Sequence, residues 1–371
     1  MDTQEFLTDK YTIFKGYAGS HSYGTSLPTS DIDFRGLFCA DPINIRTPFY
    51  PVREIEDGAE EDTKYYELSH FMKLCLDCNP NIIEMLWIDR GDIVKSSSGY
   101  EILRNYRAEL LSSKIAFTTS GYAMAQLKRI RGHNKWINNP QPIEPPQQID
   151  YLTLIQDYSD TKMMPRDFKP RQIRDDVRLI PYGHGLYGLY MFTRHKHLNT
   201  KNSQLYDNFG KLNTTFDGER HLLPKPGAIV KFNKDEYNND KDKHTNYWTW
   251  KNNRNEARAE LEYDHGYDTK HAMHLVRLMR MGKEALTEGK ITVKRPDAEE
   301  LLYIRSGGWT YEELLEYADD MDNEIRNVFY KTTSLPKKPN IALAAQVLME
   351  VQDSIWSERK YINTSLSDER K

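Results

Sequence analysis

The chain has 371 residues, a formal net charge of −4 and 38% hydrophobic residues. A chain of this length predicts about two domains. The near-neutral charge excludes a uniformly basic coat for nucleic acid but leaves room for a local basic groove. No run of residues approaches the ~18 apolar residues of a membrane span, and the polar N-terminus does not resemble a signal peptide.

The chain contains three cysteines, Cys39, Cys75 and Cys78, which exclude a disulfide scaffold and fit a reducing compartment. Cys75 and Cys78 form a C-x-x-C pair, but the sequence lacks the second pair that a zinc site of this type needs. We interpret them as small buried residues on a helix. These features predict a cytoplasmic protein that does not contact a membrane.

The first predicted elements form a mixed α/β region at residues 1–112. Strands are expected at residues 11–17, 32–38 and 64–68. Residues 113–139 carry the pattern of a connecting helix, which ends at the Pro-rich NNPQPIEPPQQ because proline cannot continue a helix.

The second half of the chain is organised differently. Residues 140–245 mix proline, charge and aromatic residues and predict an insertion or subdomain, in which NNDKDK (238–243) is interpreted as an exposed loop. Residues 246–371 predict a mainly helical C-terminal domain, in which Thr310 and Glu313 form a capping box. The predicted fold class is α+β, with a small mixed sheet, flanking helices and a mainly helical C-terminal domain.

One stretch, GYAGSHSYGTSLPTSDIDFRG (16–36), combines a small-residue turn at Gly19-Ser20 with two aspartates, Asp31 and Asp33. On a strand, these side chains would point to the same side about 7 Å apart. Two such carboxylates repel each other unless a cation lies between them, and Mg²⁺ prefers carboxylate oxygens and substrate phosphates. A glycine-serine turn lets the backbone approach a phosphate, and His21 and Tyr23 follow where a base or ribose can stack. The pattern suits a nucleotidyl-transfer site, although the spacing alone also fits a solvated turn.

The same stretch resembles the signature of the DNA-polymerase-β nucleotidyltransferase superfamily, which is Gly-Ser, a short helical segment and Asp-x-Asp. More narrowly, GSHSYGT and SDIDFRGLF resemble a branch of predicted nucleotidyltransferases of bacteria and large phages, some of which are associated with RNA ligases and RNA repair. Residues 66–87, 121–136, 266–282 and 293–315 resemble this branch too. The resemblance covers most of the chain except 140–245.

The resemblance implies a polymerase-β-like catalytic domain in which Gly19 and Ser20 hold a nucleoside triphosphate. It implies that Asp31 and Asp33 bind two magnesium ions, or manganese in their place. The implied reaction is in-line attack by a hydroxyl group on the α-phosphate, with pyrophosphate as the leaving group.

The superfamily also places a third catalytic and metal-binding carboxylate on a later strand. Glu67, in KYYELSHF, is the favoured position because its neighbours predict a strand followed by a helix. Asp62, in the acidic run EIEDGAEED, is the alternative. Glu67 or Asp33 would accept the proton of the attacking hydroxyl.

Several basic residues are candidates for holding phosphate. Arg35 follows the second aspartate by two positions and would share its strand face, where it either contacts phosphate or pairs with a carboxylate. On a helix, Lys270, His274 and Arg277 fall on one face, which is either a phosphate-binding stripe or a solvated surface. His271 and His274 show no third ligand in sequence, so zinc is not favoured there.

Further basic positions near aromatic residues suit contacts with a single nucleic-acid strand. They are Lys128, Arg131, Lys135, Arg254 and Arg258, with Lys294 and Arg295 as additional candidates. The favoured function is magnesium-dependent transfer of a nucleoside monophosphate to a hydroxyl of RNA or tRNA.

Two alternatives remain open at this point. One is nucleotide transfer to a protein side chain or a small molecule, and the other is a non-catalytic nucleotide-binding module. A dinucleotide-binding fold is not favoured, because GHGLYG (183–188) is followed by a strand-like segment rather than the helix such a site needs. That segment predicts a hairpin or bulge.

Overall fold

The computed structural model describes residues 6–8, 10–57, 63–158, 177–191, 211–214, 216, 221, 223–254 and 256–359. The chain forms two compact units, Met1–Asn138 with Glu256–Lys371, and Asn139–Asn255. The predicted catalytic and C-terminal regions therefore lie in one unit. The second unit covers the predicted insertion at 140–245 and extends to Asn255.

The strands form one sheet in each unit. They are β1 (Thr12–Ala18), β2 (Asp33–Phe38), β3 (Glu54–Glu56), β4 (Lys64–Glu67), β5 (Ile93–Ser96), β6 (Leu152–Asp157), β7 (Val177–Gly183), β8 (Leu186–Met191) and β9 (Ala228–Phe232). The first sheet has the order β3-β4-β2-β1-β5 and the second β6-β9-β8-β7. In the first sheet, β2 runs antiparallel to β1 and parallel to β4, so the sheet is mixed as predicted.

The first unit contains twelve described α-helices and the second unit contains one, α7. They are α1 (Gly19–Tyr23), α2 (Pro42–Arg46), α3 (Leu68–Leu76), α4 (Pro80–Ile83), α5 (Ser98–Asn105), α6 (Ile115–Asn138), α7 (Lys234–Asn252), α8 (Glu256–His265), α9 (Thr269–Glu288), α10 (Ala298–Arg305), α11 (Tyr311–Glu324), α12 (Tyr330–Thr332) and α13 (Ile341–Glu358). None of the described helices is long and apolar enough to cross a membrane. The predicted α+β class is confirmed.

The core of the first unit runs without interruption from the sheet into the C-terminal helices. Phe14 of β1, Leu37 of β2, Ile130 of α6, Val276 of α9 and Val351 of α13 belong to one cluster of buried side chains. Burying apolar surface in a shared core stabilises the sheet and the helices together. The helices α6 and α9 are therefore fixed against the part of the fold that carries the sheet.

Local sequence signals explain several element boundaries. The Thr310 side chain accepts a hydrogen bond from the Glu313 backbone N–H, and the Glu313 carboxylate accepts one from the Thr310 N–H, so the predicted capping box is confirmed. GHGLYG is the turn of the β7–β8 hairpin, as predicted, with positive φ angles at Gly183, His184 and Gly185. Glycine adopts such angles at little cost, which is why this sequence makes a tight turn.

The interpretation of NNDKDK as a loop is wrong, because these residues lie inside α7. Acidic residues Asp235 and Glu236 occupy the first turn of α7, where they interact favourably with the helix dipole. Asp240 pairs with Lys243 at 2.8 Å and accepts a hydrogen bond from the Tyr151 hydroxyl at 2.9 Å. These contacts stabilise a polar helix that lacks an apolar stripe in its sequence.

Candidate active site

The turn at Gly19 connects β1 to α1 and lies directly beside the start of β2. Ala18, the last residue of β1, pairs with Asp33, the first residue of β2. Gly19 has a φ of +60°, and a Cβ built on it would clash with Oδ2 of Asp33. Glycine is therefore favoured at position 19 by its left-handed backbone, and a side chain there would displace the Asp33 carboxylate.

The two aspartates of the motif do not both lie on the strand. Because β1 turns into α1 after Ala18, its ladder with β2 ends at Asp33, and Asp31 precedes the strand. The prediction of a strand beginning at residue 32 is wrong at this end. Asp31 is exposed and Asp33 is half-buried, but their Cα atoms are still at most about 7 Å apart along the chain.

A cavity of about 310 Å³ opens at this end of the sheet, within the size range of small-molecule sites. Gly19, Asp33 and Arg35 line it from the sheet side, while His274 and Arg277 line it from α9. Asp33 and Arg35 share the cavity because alternate residues of a strand point to the same face. The structure thus brings together the glycine turn, two guanidinium groups and the carboxylates of Asp33 and Glu84.

Arg277 is held in place by a buried network. Its side chain is 5% exposed, its Nη1 donates to Oε2 of Glu84 at 3.3 Å, and its Cζ lies 3.8 Å from the centre of the Tyr23 ring. The Tyr23 hydroxyl donates to Oε1 of Glu84 at 2.6 Å. Burial raises the pKa of Glu84, and the neighbouring Arg277 charge opposes this effect. Tyr23 lines the cavity and Arg277 lies over its ring, and the stacking of Tyr23 on a base or ribose stays a prediction.

The alternative that α9 presents only a solvated basic face is wrong, because Arg277 is buried and lines the cavity. The Nε of Arg277 is buried and has no hydrogen-bond acceptor among the described residues. Burial, with the Arg277 and Lys270 charges, lowers the pKa of His274 to about 3, so its imidazole is neutral at physiological pH. Lys270 lies about one turn earlier on α9 and is half-buried.

The cavity is also lined by residues that sequence reasoning missed. They are Tyr66 on β4, Asn81 on α4, Glu84, and Tyr122 and Gln126 on α6. Tyr122 and Gln126 are four positions apart on α6 and so face the same way. The carbonyl oxygen of the Gln126 side chain is buried and has no hydrogen-bond donor among the described residues. In the sequence GYAMAQLKRIR, the i, i+4 spacing of Tyr122 and Gln126 indicates that the two side chains share a helix face. The neighbouring lysine and arginines draw attention to the basic face of the same helix instead.

Glu67 is not part of this cavity. It is the last residue of β4 and pairs with Phe38, at the opposite end of β2 from Asp33. Five residue steps separate the ends of β2, which corresponds to about 16 Å along the strand. Tyr66 lines the cavity, so its strand neighbour Glu67 points to the other face of the sheet.

The surroundings of Glu67 are those of a buried residue that caps a helix. It is 2% exposed, and its Oε2 accepts hydrogen bonds from the backbone N–H groups of Ser69 at 2.7 Å and His70 at 3.3 Å, which caps α3. Burial raises its pKa to about 7. The geometry does not support Glu67 as the third carboxylate of the site, and Asp62, the alternative, lies outside the described residues.

The basic candidates for nucleic-acid contact fall into two groups. Three of them are exposed on α6, namely Lys128, Arg131 and Lys135. Arg254 belongs to the second unit, where its guanidinium lies 4.3 Å from the Trp250 ring centre. The Arg258 side chain lies outside the described residues. Lys128, Arg131 and Lys135 are thus exposed on α6, the helix that also lines the cavity through Tyr122 and Gln126.

Arg295 does not belong to a nucleic-acid surface. Its side chain is 2% exposed and donates from Nη1 and Nη2 to the two oxygens of Glu284 at 2.7 and 2.6 Å. Its Nε donates to Asp297 at 2.8 Å. The prediction that Arg295 contacts nucleic acid is wrong. The sequence alone does not distinguish a basic residue on the surface from one that is buried in ion pairs.

Comparison with known proteins identifies the first part of the chain. Residues 3–139 match the family described as RlaP, RNA repair pathway DNA polymerase beta family. This match confirms, for that segment, the polymerase-β-type nucleotidyltransferase family that the motifs resemble, and with it the polymerase-β-like class of the mixed sheet.

A curated relative comes from a phage. The chain is 33% identical over 94 residues to an uncharacterized 38.9 kDa protein of the nrdC-mobD intergenic region of Enterobacteria phage T4, a match that covers 23% of this chain and 28% of the phage protein. The matched segment is thus under a third of the phage protein. No solved structure matches the chain.

Proposed function

We propose that this protein is a magnesium-dependent nucleotidyltransferase that transfers a nucleoside monophosphate from a nucleoside triphosphate to a hydroxyl group of RNA or tRNA. The observation that carries the proposal is the single cavity that joins the Gly19 turn, the Asp33 carboxylate and the guanidinium groups of Arg35 and Arg277. A triphosphate needs cationic and N–H donors, and the reaction needs a carboxylate close to them.

The triphosphate would bind between the sheet and α9. The backbone at Gly19, the hydroxyl of Ser20 and the guanidinium of Arg35 would contact it from the sheet side, while Arg277 would neutralise its charge from α9. The neutral His274 offers a hydrogen bond without adding charge. The aromatic and amide groups of the α6 wall would face the base.

Magnesium fits the donors of this site, since the half-buried carboxylate of Asp33 and the nearby exposed carboxylate of Asp31 are its preferred ligand type. When bound, magnesium would lower the pKa of the attacking hydroxyl and neutralise charge on the departing pyrophosphate. Manganese would be accepted in the same place. Of the two carboxylates considered for accepting the hydroxyl proton, only Asp33 lines the cavity, whereas Glu67 lies elsewhere in the fold.

In the proposed reaction, the acceptor hydroxyl oxygen forms a bond to the α-phosphorus as the bond to the bridging oxygen of pyrophosphate breaks. The hydroxyl proton passes to Asp33 or to solvent. Arg35 and Arg277 stabilise the negative charge that develops on the phosphate oxygens. The cavity residues thus bind, orient and neutralise charge, which is the main demand of phosphoryl chemistry.

Two observations support RNA as the acceptor. The description of the family that residues 3–139 match names an RNA repair pathway. The exposed Lys128, Arg131 and Lys135 lie on α6, the helix that also carries Tyr122 and Gln126 in the cavity wall. A basic helix face next to a nucleotide pocket can bind the phosphate backbone of an acceptor strand.

The proposal is tested with each α-labelled nucleoside triphosphate, magnesium and a pool of tRNA and short RNA, beside a control without RNA. We expect label on RNA, release of pyrophosphate, and a loss of about 100-fold or more in the double variant Asp31→Asn, Asp33→Asn. The matched control is Asp319→Asn, Asp320→Asn, two exposed carboxylates of α11 that should leave activity unchanged.

Other outcomes would redirect the assignment. Label on the protein itself would favour transfer to a side chain, and label on an added small molecule would favour that acceptor class. Nucleotide binding without pyrophosphate release would indicate a non-catalytic module. Full activity in the double Asp variant would refute the proposed site.

A further inference from the structure

About one turn before the cavity-lining His274 on α9, four potential metal ligands from three helices come together in the first unit. His133 lies on α6, Glu262 on α8, and Asp268 and His271 at the start of α9. Asp268 is fully buried and Glu262 is 3% exposed. One ligand atom each from His133, Glu262 and Asp268 lies within 4.8 Å of the others.

Two of the three N···O distances in this cluster match those of atoms arranged around a common ion, and the third is slightly longer. Nδ1 of His133 lies 3.4 Å from Oδ2 of Asp268 and 4.0 Å from Oε2 of Glu262, and Nε2 of His271 lies 3.5 Å from the same Asp268 oxygen. Direct N–H···O hydrogen bonds fall at about 2.7–3.2 Å. Ligand atoms on a tetrahedral zinc ion, with bonds of about 2.0–2.2 Å, lie about 3.3–3.6 Å apart.

The charges point in the same direction. Two carboxylates buried this close together repel each other, and a cation between them relieves that repulsion. A divalent cation with two carboxylates and two neutral imidazoles gives a neutral site. Imidazole ligands favour zinc over magnesium or calcium, which prefer all-oxygen sites.

We propose that His133, Glu262, Asp268 and His271 bind one Zn²⁺ ion with a structural role. Ligand atoms of His133, Glu262 and Asp268 already lie close enough to share an ion, and His271, whose Nε2 lies 3.5 Å from the Asp268 carboxylate, would turn toward it as the fourth ligand. Four protein ligands would complete a tetrahedral site and leave no position for a substrate, which is the pattern of structural zinc. The orientation of Asp268 is already fixed, because its Oδ1 accepts a hydrogen bond from the His271 backbone N–H at 2.9 Å. The His133 ring stacks on Trp136 with centroids 5.9 Å apart.

The ion would fasten α8 and the first turn of α9 to α6. Because α9 carries His274 and Arg277 into the cavity, the zinc would hold that wall of the cavity in position. The inference does not depend on the proposed enzymatic activity. It would be a second metal site, separate from the carboxylates Asp31 and Asp33.

The first test is zinc binding by the full chain after treatment with a chelator. Elemental analysis and titration should give one zinc per wild-type chain, with affinity at least about 100-fold weaker in His133→Gln and in His271→Gln. Zinc should raise the Tm of the wild type but not of His271→Gln. A control, His244→Gln in the second unit, should bind zinc like the wild type, and so should the double variant Asp31→Asn, Asp33→Asn.

Absence of zinc binding in the wild type would overturn the proposal, as would wild-type affinity in both histidine variants. Loss of zinc in the double Asp variant would assign the ion to the candidate active site instead. If the histidine variants do not fold, Co²⁺ binding to the wild type decides the question. Intense visible bands of four-coordinate cobalt without a thiolate charge-transfer band would support the site, whereas the weak bands of six-coordinate cobalt would refute it.

Discussion

Glu67 provides the sharpest test of the structural reasoning, because sequence favours it as a catalytic carboxylate and the fold buries it elsewhere. Its side chain is 2% exposed, at the end of β4, and caps α3 through the N–H groups of Ser69 and His70. Burial raises its pKa to about 7 from an ordinary value of about 4.5. The perturbation is Glu67→Gln, which keeps the shape and an acceptor oxygen but removes the titration.

The raised pKa fixes the sign of the pH dependence. Below pH 4.5, Glu67 is protonated in both the folded and the unfolded state. Between pH 4.5 and 7, the unfolded chain loses this proton while the folded chain keeps it, so the free energy of unfolding falls as pH rises. The shift of about 2.5 pKa units corresponds to a loss of about 3 kcal/mol that is complete near pH 7.

The assay is denaturant unfolding of the wild type and Glu67→Gln from pH 4.5 to 8. The difference in free energy of unfolding should change by about 3 kcal/mol in favour of Glu67→Gln across this range. Glu312→Gln, an exposed residue of α11, is the control and should follow the wild type at every pH. Parallel curves for wild type and Glu67→Gln would refute the reasoning.

The same variant also separates the structural role of Glu67 from a catalytic one. Glu67→Gln should keep nucleotidyl-transfer activity, because Glu67 lies at the opposite end of β2 from Asp33. A folded Glu67→Gln protein without activity would restore Glu67 to the site. Asp62→Asn, measured in the same assay, then shows whether the sequence alternative carries the third carboxylate.

Three further predictions follow from the described contacts. Gly19→Ala should lower the free energy of unfolding by about 1–2 kcal/mol because of its left-handed backbone, and should reduce activity by displacing the Asp33 carboxylate. The control Gly121→Ala, in an open part of α6, should raise the free energy of unfolding by about 0.5–1 kcal/mol. Equal effects of the two variants in unfolding assays would contradict this. Arg277→Met should lower the free energy of unfolding by about 3–5 kcal/mol, because it leaves Glu84 buried without its cation. Adding Glu84→Gln should recover most of that loss. Equal losses in the single and the double variant would show that the pair is not coupled. All three cysteines are fully buried, so a thiol reagent should react with none of them in the native chain and with three after unfolding, and reaction in the native chain would place a thiol at the surface.

The sequence by itself determined the features that depend on neighbouring residues. The turn at Gly19, the capping box at Thr310 and the hairpin at GHGLYG each follow from a few consecutive side chains and their allowed backbone angles. The family, confirmed for residues 3–139, was also readable from motifs because its signature is short and continuous. Such signals survive without tertiary context, since their physical cause lies within one or two turns of the chain.

Only the tertiary structure decided which distant residues share a site. The parallel register of β4 against β2 places Glu67 beside Phe38, and no local pattern around Glu67 reveals that register. Gln126 enters the cavity, and His133 meets the start of α9, because α6 packs on α9 across more than a hundred intervening positions. These choices depend on how helices and strands bury their apolar faces together, which is a property of the whole core and not of any segment.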